Sequence, residues 1–256
     1  MAGVLAGRRI VVTRRPEQAG SLAAGLSALG AEVHEVPLVE MAAPSDPGPL
    51  WRAVAEIAAY DWVAFTSANA VGALADALER AGRALPPGCR VASVGPSTSG
   101  AVRERLGTGP ALTPASDYRA TGLVRAFDAV DLTGRRVLWP ISDRARDALA
   151  DGLRARGALV DAVVAYRTVA AAGAADALAG ALRVGADLIT LASPSAVEAL
   201  VSALGVQARQ RPVAVIGPVT GHAARAAGLD VKVVAAPATA EGLVAAIRRH
   251  FLHARP

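Results

Sequence analysis

The chain has 256 residues, 53% of them hydrophobic, and a mean hydropathy of +0.36. That is enough to bury one large or two ordinary domains, and it excludes disorder as the overall state. The net charge is +5 and every basic residue except Lys232 is arginine, spread in pairs (Arg8-Arg9, Arg14-Arg15, Arg135-Arg136, Arg248-Arg249) instead of clustered with aromatics. No nucleic-acid partner is expected from that pattern; guanidinium forks suit an acidic small molecule.

Taken in order, Gly7–Thr13 reads as a buried strand, and Pro16 opens a helix whose apolar residues Leu22, Leu26 and Leu29 recur at helical spacing until Gly30 stops it. A strand is expected from Ala31 through Pro37 to Met41, then a Pro/Gly/Ser/Asp loop over Ala42–Pro49 and a helix over Leu50–Ala59. Asp61–Thr66 is a short buried strand, with Ser67-Ala68-Asn69 starting a helix that runs to about Ala81. Arg90–Val94 is a strand ending in Gly95-Pro96-Ser97-Thr98, with a helix from there to Leu106. An extended piece, Ala111–Pro114, leads to a helix over Leu123–Val130.

The pattern then restarts. Gly134–Leu138 (GRRVL) matches Gly7–Val11 (GRRIV), and the apolar stretch Ala158–Val169 answers Ala31–Met41. Asp187–Ser193 echoes Asp61–Ser67, Val213–Thr220 echoes Val91–Thr98, and Glu241-Gly242-Leu243-Val244 echoes Thr121-Gly122-Leu123-Val124. The offset drifts from 127 residues, Gly7 to Gly134, to 120 residues, Gly122 to Gly242, as small loop deletions would produce. A period of this length is far too long for a solenoid and implies two similar lobes. Alternating strands and helices imply parallel sheets, so the fold class is α/β with two parallel-sheet, flavodoxin-like lobes from an internal duplication.

In open parallel sheets, ligands sit outside the carboxyl ends of the strands, against helix N-termini. Six junctions lie there: Thr13-Arg14, Ser67-Ala68-Asn69, Gly95-Pro96-Ser97-Thr98, Ser142-Asp143-Arg144, Ser193-Pro194-Ser195 and Gly217-Pro218-Val219-Thr220. The simpler reading is that Ser67, Thr98, Ser193 and Thr220 cap their helices. Six such ends facing one cleft favour a ligand with several carboxylates.

Neither a G-x-x-x-x-G-K-[ST] loop nor a helix-opening G-x-G-x-x-G occurs, so no nucleotide cofactor is expected. His34 and His222 lie far apart, His250 and His253 fall on a C-terminal tail, and no metal is expected. Cys89, the single cysteine, excludes an internal disulfide framework and reads as an ordinary buried or half-buried thiol. No signal-like segment opens the chain and no apolar run reaches membrane length, so a cytoplasmic protein without membrane contact is expected. Hydroxyls and arginines remain. Tyr166 ends an apolar strand with Arg167 on the opposite face, so the two cannot act as one unit, and as sequence alone the packing reading is the slightly favoured one.

These pieces together resemble the uroporphyrinogen-III synthase family of tetrapyrrole biosynthesis. The resemblance is carried by Val12-Thr13-Arg14 with Arg15-Pro16, by Asp61-Trp62 leading into Phe65–Val71, and by Val94-Gly95 with Thr98. It continues through Val164-Ala165-Tyr166-Arg167-Thr168, Ser193-Pro194-Ser195, and Ile216-Gly217-Pro218 with Thr220. It implies lobes of residues 1–36 with 170–256 and of residues 41–165, a two-stranded linker over 37–40 and 166–169, and a cleft between the lobes. It implies a monomeric lyase that takes the polycarboxylate hydroxymethylbilane, removes water, inverts the last pyrrole ring and closes uroporphyrinogen III without cofactor or metal. Tyr166 becomes the expected acid for the departing hydroxyl. Thr13, Arg14, Ser67, Asn69, Ala70, Gly95, Thr98, Ser193, Ser195, Gly217 and Thr220 become expected substrate contacts. A non-catalytic sensor of an acidic tetrapyrrole-like ligand is the competing reading; a nucleotide-sugar transferase lacks its phosphate loop.

Overall fold

The structure is a computed structural model that describes residues 3–145 and 147–253. The chain forms two compact units: one holds everything through Glu40 together with everything from Val169 onward, the other Met41–Thr168. Each has its own sheet. Among the described residues no helix is long and apolar enough to cross a membrane.

The first unit is built on β1 (Arg9–Val12), β2 (Glu32–Glu35), β8 (Leu188–Leu191), β9 (Pro212–Val215) and β10 (Asp230–Val234), in the spatial order β10-β9-β8-β1-β2 with parallel pairing. α1 (Pro16–Ala28) and α10 (Ala240–His253) pack on one face, where Leu22, Leu26, Leu243 and Ile247 are fully buried. α7 (Ala174–Val184), α8 (Pro194–Leu204) and α9 (Pro218–Ala226) supply Leu178, Leu200 and Ala224 to the other. A strand buried on both faces has no polar side to show, which is why Ile10-Val11-Val12 reads as an unbroken apolar run and Leu188–Leu191 departs from one only at Thr190, itself buried.

The second unit's sheet takes the order β3-β7-β6-β4-β5, from β3 (Val39–Ala42), β4 (Trp62–Phe65), β5 (Arg90–Ser93), β6 (Arg136–Ser142) and β7 (Leu159–Ala170). One face carries α2 (Gly48–Ala55), α3 (Ala68–Arg80) and α4 (Pro96–Leu106) over Val63, Phe65 and Leu138. The other carries α5 (Ala120–Ala126) and α6 (Ala148–Arg154) over Trp62, Val137 and Trp139, with Trp62 meeting Phe127 edge-on at 5.1 Å. With β6 set against β1, β7 against β2, β4 against β8 and β5 against β9, the two sheets have one strand order. An isolated parallel bridge, Ala92–Leu112, stands where β10 stands in the first.

The repeated glycines have a packing cause. A Cβ on Gly122 would lie 1.9 Å from the Asp117 carbonyl oxygen, and one on Gly242 would lie 2.1 Å from that of Pro237. Each helix start is pressed against the loop before it, closer than any side chain permits.

Parallel α/β architecture is as the sequence indicates, with four local departures. The single strand expected from Ala31 to Met41 is two strands, β2 and β3, because Pro37 lacks the amide a ladder needs and its fixed φ interrupts pairing; β2 and β3 belong to different sheets. The helix expected over Leu50–Ala59 ends at Ala55 and closes with a 3₁₀ turn, Ile57–Ala59. That expected over Leu123–Val130 likewise ends at Ala126 before a 3₁₀ turn. His250 and His253 are not on a tail: the amphipathic pattern continues and both lie in α10.

Candidate active site

In the second unit the site starts from a break in strand periodicity. β7 pairs β6 residue for residue from Leu159 to Val164, and then Ser142 pairs Tyr166, which leaves Ala165 as an extra residue. Strict alternation would put Tyr166 on the face of Val160, among the Trp139 cluster. The bulge turns it over, so Ala165 and Tyr166 are both buried in the cluster of Phe65 and Val71. Tyr166 is 8% exposed, and its hydroxyl lies 3.2 Å from Ser67 Oγ.

Ser67 is the N-cap of α3. Its extended backbone brings Oγ over the first turn, where it accepts from the Ala70 amide at 3.1 Å. Two expected site residues, 99 positions apart, therefore share a hydrogen bond, and Ala70 supports it through its backbone. Since one Ser67 lone pair is engaged by Ala70, its proton can be given to Tyr166 Oη. The phenolic proton then points away from the serine. The positive end of the α3 dipole lies on the side where negative charge would develop on that oxygen. Asn69 stands in the same first turn.

Gly95 is the N-cap of α4. Its φ of 172° is open to any residue, but a Cβ there would sit 2.9 Å from the Tyr118 ring. Behind it, Ser99 Oγ donates to the Gly95 carbonyl at 3.0 Å and lies 2.7 Å from Ser93 Oγ. The capping role expected for Thr98 is corrected: Gly95 takes that position, and Thr98, three residues inside the helix and 4% exposed, is too far along to cap it. Thr220 in α9 is corrected in the same way, with Gly217 as N-cap and Thr220 3% exposed. Ser142-Asp143-Arg144 also departs from expectation, because a turn intervenes and α6 begins only at Ala148.

In the first unit, Thr13, Ser193 and Gly217 follow β1, β8 and β9, three adjacent strands. Ser193 caps α8 by accepting from the Ala196 amide at 3.2 Å, as Ser67 caps α3, and its Oγ lies 2.9 Å from Ser195 Oγ. Thr13 is 1% exposed and donates to the Thr190 carbonyl at 2.5 Å, so its hydroxyl holds β1 to β8. Arg14 is half-buried and its Nε has no hydrogen-bond partner. Burial, reinforced by Arg15 and opposed by Glu241, pulls its guanidinium below the usual arginine range. A cation held partly out of water with an unmet donor is a fitting receptor for a carboxylate.

Among the described residues no three His, Cys, Asp or Glu side chains gather where a metal ion could be held. Cys89 is free and buried, and burial pushes its thiol up to about 11.

The profile of the uroporphyrinogen-III synthase HemD family matches residues 20–245. The chain belongs to the uroporphyrinogen-III synthase family. A family member from Synechococcus elongatus is 32% identical over 96% of both chains, and a chloroplastic one from Oryza sativa is 29% identical over 94% of this chain and 81% of its own. Among solved structures, a mutant uroporphyrinogen III synthase from Thermus thermophilus superposes with a TM-score of 0.63 at 18% identity, covering 96% of this chain and all of that one. The Helicobacter pylori uroporphyrinogen-III synthetase gives 0.61 at 15% identity, over 93% and 97%. At such identities the structures report on the fold, which is the family's mixed α/β fold.

Sequence reasoning missed the surroundings of Tyr166: Trp51 on α2 and Arg80 in the last turn of α3. In the chain they read as an amphipathic helix and a helix-end cation, and nothing in their spacing joins them to Tyr166.

Proposed function

We propose that this chain is a cyclising lyase that converts hydroxymethylbilane to uroporphyrinogen III, with Tyr166 as proton donor. The observation that carries the assignment of Tyr166 is the Ser67–Tyr166 hydroxyl pair at the head of α3. As the hydroxymethyl C–O bond breaks, the pyrrole nitrogen's electron pair flows out to the carbon, and the departing oxygen takes the phenolic proton and leaves as water. Ser67 donates to the phenolate oxygen left behind, and the α3 N-terminus stabilises its charge. The substituted α-carbon of the last pyrrole then bonds to the electrophilic carbon, and its old bond to the neighbouring methylene breaks. That methylene bonds to the ring's free α-carbon so that the ring ends inverted, and the proton lost from that carbon restores the Tyr166 phenol.

The leaving group departs readily from so electron-rich a ring, so most of the acceleration toward the inverted isomer comes from holding the chain in the bent geometry. Arg14, Asn69, Ser193 and Ser195, with the backbone at Gly95 and Gly217, are the groups we assign to substrate carboxylates, while the Ala70 amide holds Ser67 in place. Thr98 and Thr220 are assigned as hydroxyl contacts and Thr13 as the residue that fixes the end of β1. We assign lobes of residues 1–36 with 170–256 and of 41–165, related by duplication, a reading supported by the common strand order of the two sheets. We further assign a cytoplasmic monomer.

The test is to incubate the protein with hydroxymethylbilane, oxidise the products and separate the uroporphyrin isomers. Isomer III in excess of the spontaneous reaction is expected; isomer I alone overturns the reading.

A further inference from the structure

Beside Tyr166, within the second unit, is a recess of about 400 Å³ between α2, α3 and the ends of β3 and β7. Its walls are mainly apolar, from Met41, Leu50, Ala77 and Ala165, and Tyr166 forms part of them. Two features set it apart from an ordinary groove between helices. Trp51 also lines it and is 40% exposed, whereas Trp62 and Trp139 are each 2% exposed. Arg80 lines it as well and is exposed, with no ion pair among the described residues. The recess's acid, Asp76, is already paired with Arg105 at 2.6 Å. The recess therefore offers an aromatic face, an apolar floor and one uncompensated guanidinium.

We infer that this recess receives the hydroxymethyl-bearing pyrrole ring of the substrate, with Trp51 against the ring and Arg80 on one of its carboxylates. This rests on the proposed synthase reaction and adds a location to it. For Tyr166 to protonate the leaving oxygen, that oxygen has to come within about 3 Å of the phenol, so the ring that carries it lies within a few ångströms of Tyr166. The volume falls in the range of small-ligand sites, and this one suits a single ring with its side chains, not a whole tetrapyrrole. A pyrrole is flat and electron-rich, with acidic arms. An indole beside a guanidinium matches both properties.

The tests use the full chain. Trp51→Ala and Arg80→Gln are each expected to raise KM for hydroxymethylbilane about tenfold, with kcat changed much less. Because unbound substrate closes by itself to isomer I, both variants also give a larger share of isomer I at low enzyme concentration. Trp51→Phe, which keeps an aromatic face, is expected to reverse most of the KM rise of Trp51→Ala, and thermal unfolding checks that all three variants fold. A second readout needs no turnover: stopped-flow mixing of Tyr166→Phe with hydroxymethylbilane is expected to change tryptophan emission, and Trp51→Phe in that background to abolish the change. A normal KM and isomer ratio in either Trp51→Ala or Arg80→Gln overturns the inference, as does an emission change that survives loss of Trp51. If the unsubstituted protein itself makes no isomer III, the proposed reaction has failed instead.

Discussion

Removing one oxygen atom separates the chemical role of Tyr166 from its packing role. Among the described residues the Tyr166 hydroxyl has one hydrogen-bond partner, Ser67 Oγ at 3.2 Å, and the ring is buried. Tyr166→Phe keeps the ring and removes one neutral hydrogen bond, a loss of about 1 kcal/mol that lowers Tm by roughly 2–4 °C in a chain of this size. Ser67 keeps its bond from the Ala70 amide, so α3 stays capped. Losing a general acid costs about 10²–10⁴ in turnover, equivalent to roughly 3–5 kcal/mol of barrier. Ser67→Ala removes the cap as well and costs about 1 kcal/mol more in stability, while its effect on turnover runs through Tyr166. The double variant is therefore expected to turn over no more slowly than Tyr166→Phe alone, because a residue that acts through another has nothing left to act on. The assay is kcat from separated uroporphyrin isomers, alongside thermal unfolding of all four proteins. A loss of only a few-fold in Tyr166→Phe would refute the acid role. Multiplying single effects in the double variant would refute the coupling.

Three further outcomes are expected. Gly122→Ala and Gly242→Ala each force a Cβ onto a carbonyl oxygen, at 1.9 and 2.1 Å, and should cost more than about 2 kcal/mol apiece; an unchanged Tm in either would show that the loop gives way. Burial raises the Cys89 thiol to about 11, so the neutral form's advantage is present at and below ordinary thiol titration and is lost as pH rises toward 11. Alkylation at pH 8 should accordingly run about a hundredfold slower in the native protein than in denaturant, followed by mass spectrometry. Burial and a 2.7 Å hydrogen bond donated to Asp161 lift the Tyr60 phenol well above the ordinary tyrosine range. Its contribution to stability holds below that range and is lost as pH rises through the folded value, so in an alkaline absorbance titration the last phenol to ionise should vanish in Tyr60→Phe.

Strands such as Ile10-Val11-Val12 were legible because burial on both faces leaves an unbroken apolar run, and helix starts at Ser67 and Ser193 because capping is a local chemistry. The parallel α/β class follows from those signals in alternation. What the chain could not disclose is non-local. Pro37 marks an interruption, yet nothing near it says that the strands on either side join different sheets. The bulge at Ala165 arises from pairing with β6, so alternation alone misdirects Tyr166 by one face. Thr98 and Thr220 look like caps by composition, but the glycines three residues earlier hold that position because Tyr118 and Ala238 crowd them. The Ser67–Tyr166 contact spans 99 residues and becomes visible only once β7, β6 and β4 are in order.

β1 is an interior strand, flanked by β2 and β8. Its partner β2 emerges from the ribosome almost at once, but Ile10 pairs with Leu188, and Arg8 with Asp187, only after the whole intervening unit has been made. At ordinary synthesis rates the open side of β1 waits on the order of ten to forty seconds. In that interval Met41–Thr168 has everything its own sheet needs, so the unit begun second is the first able to finish. A nascent chain stalled before Leu188 carries a completed module tethered to an apolar strand with one ladder unfilled, which is where premature association would start.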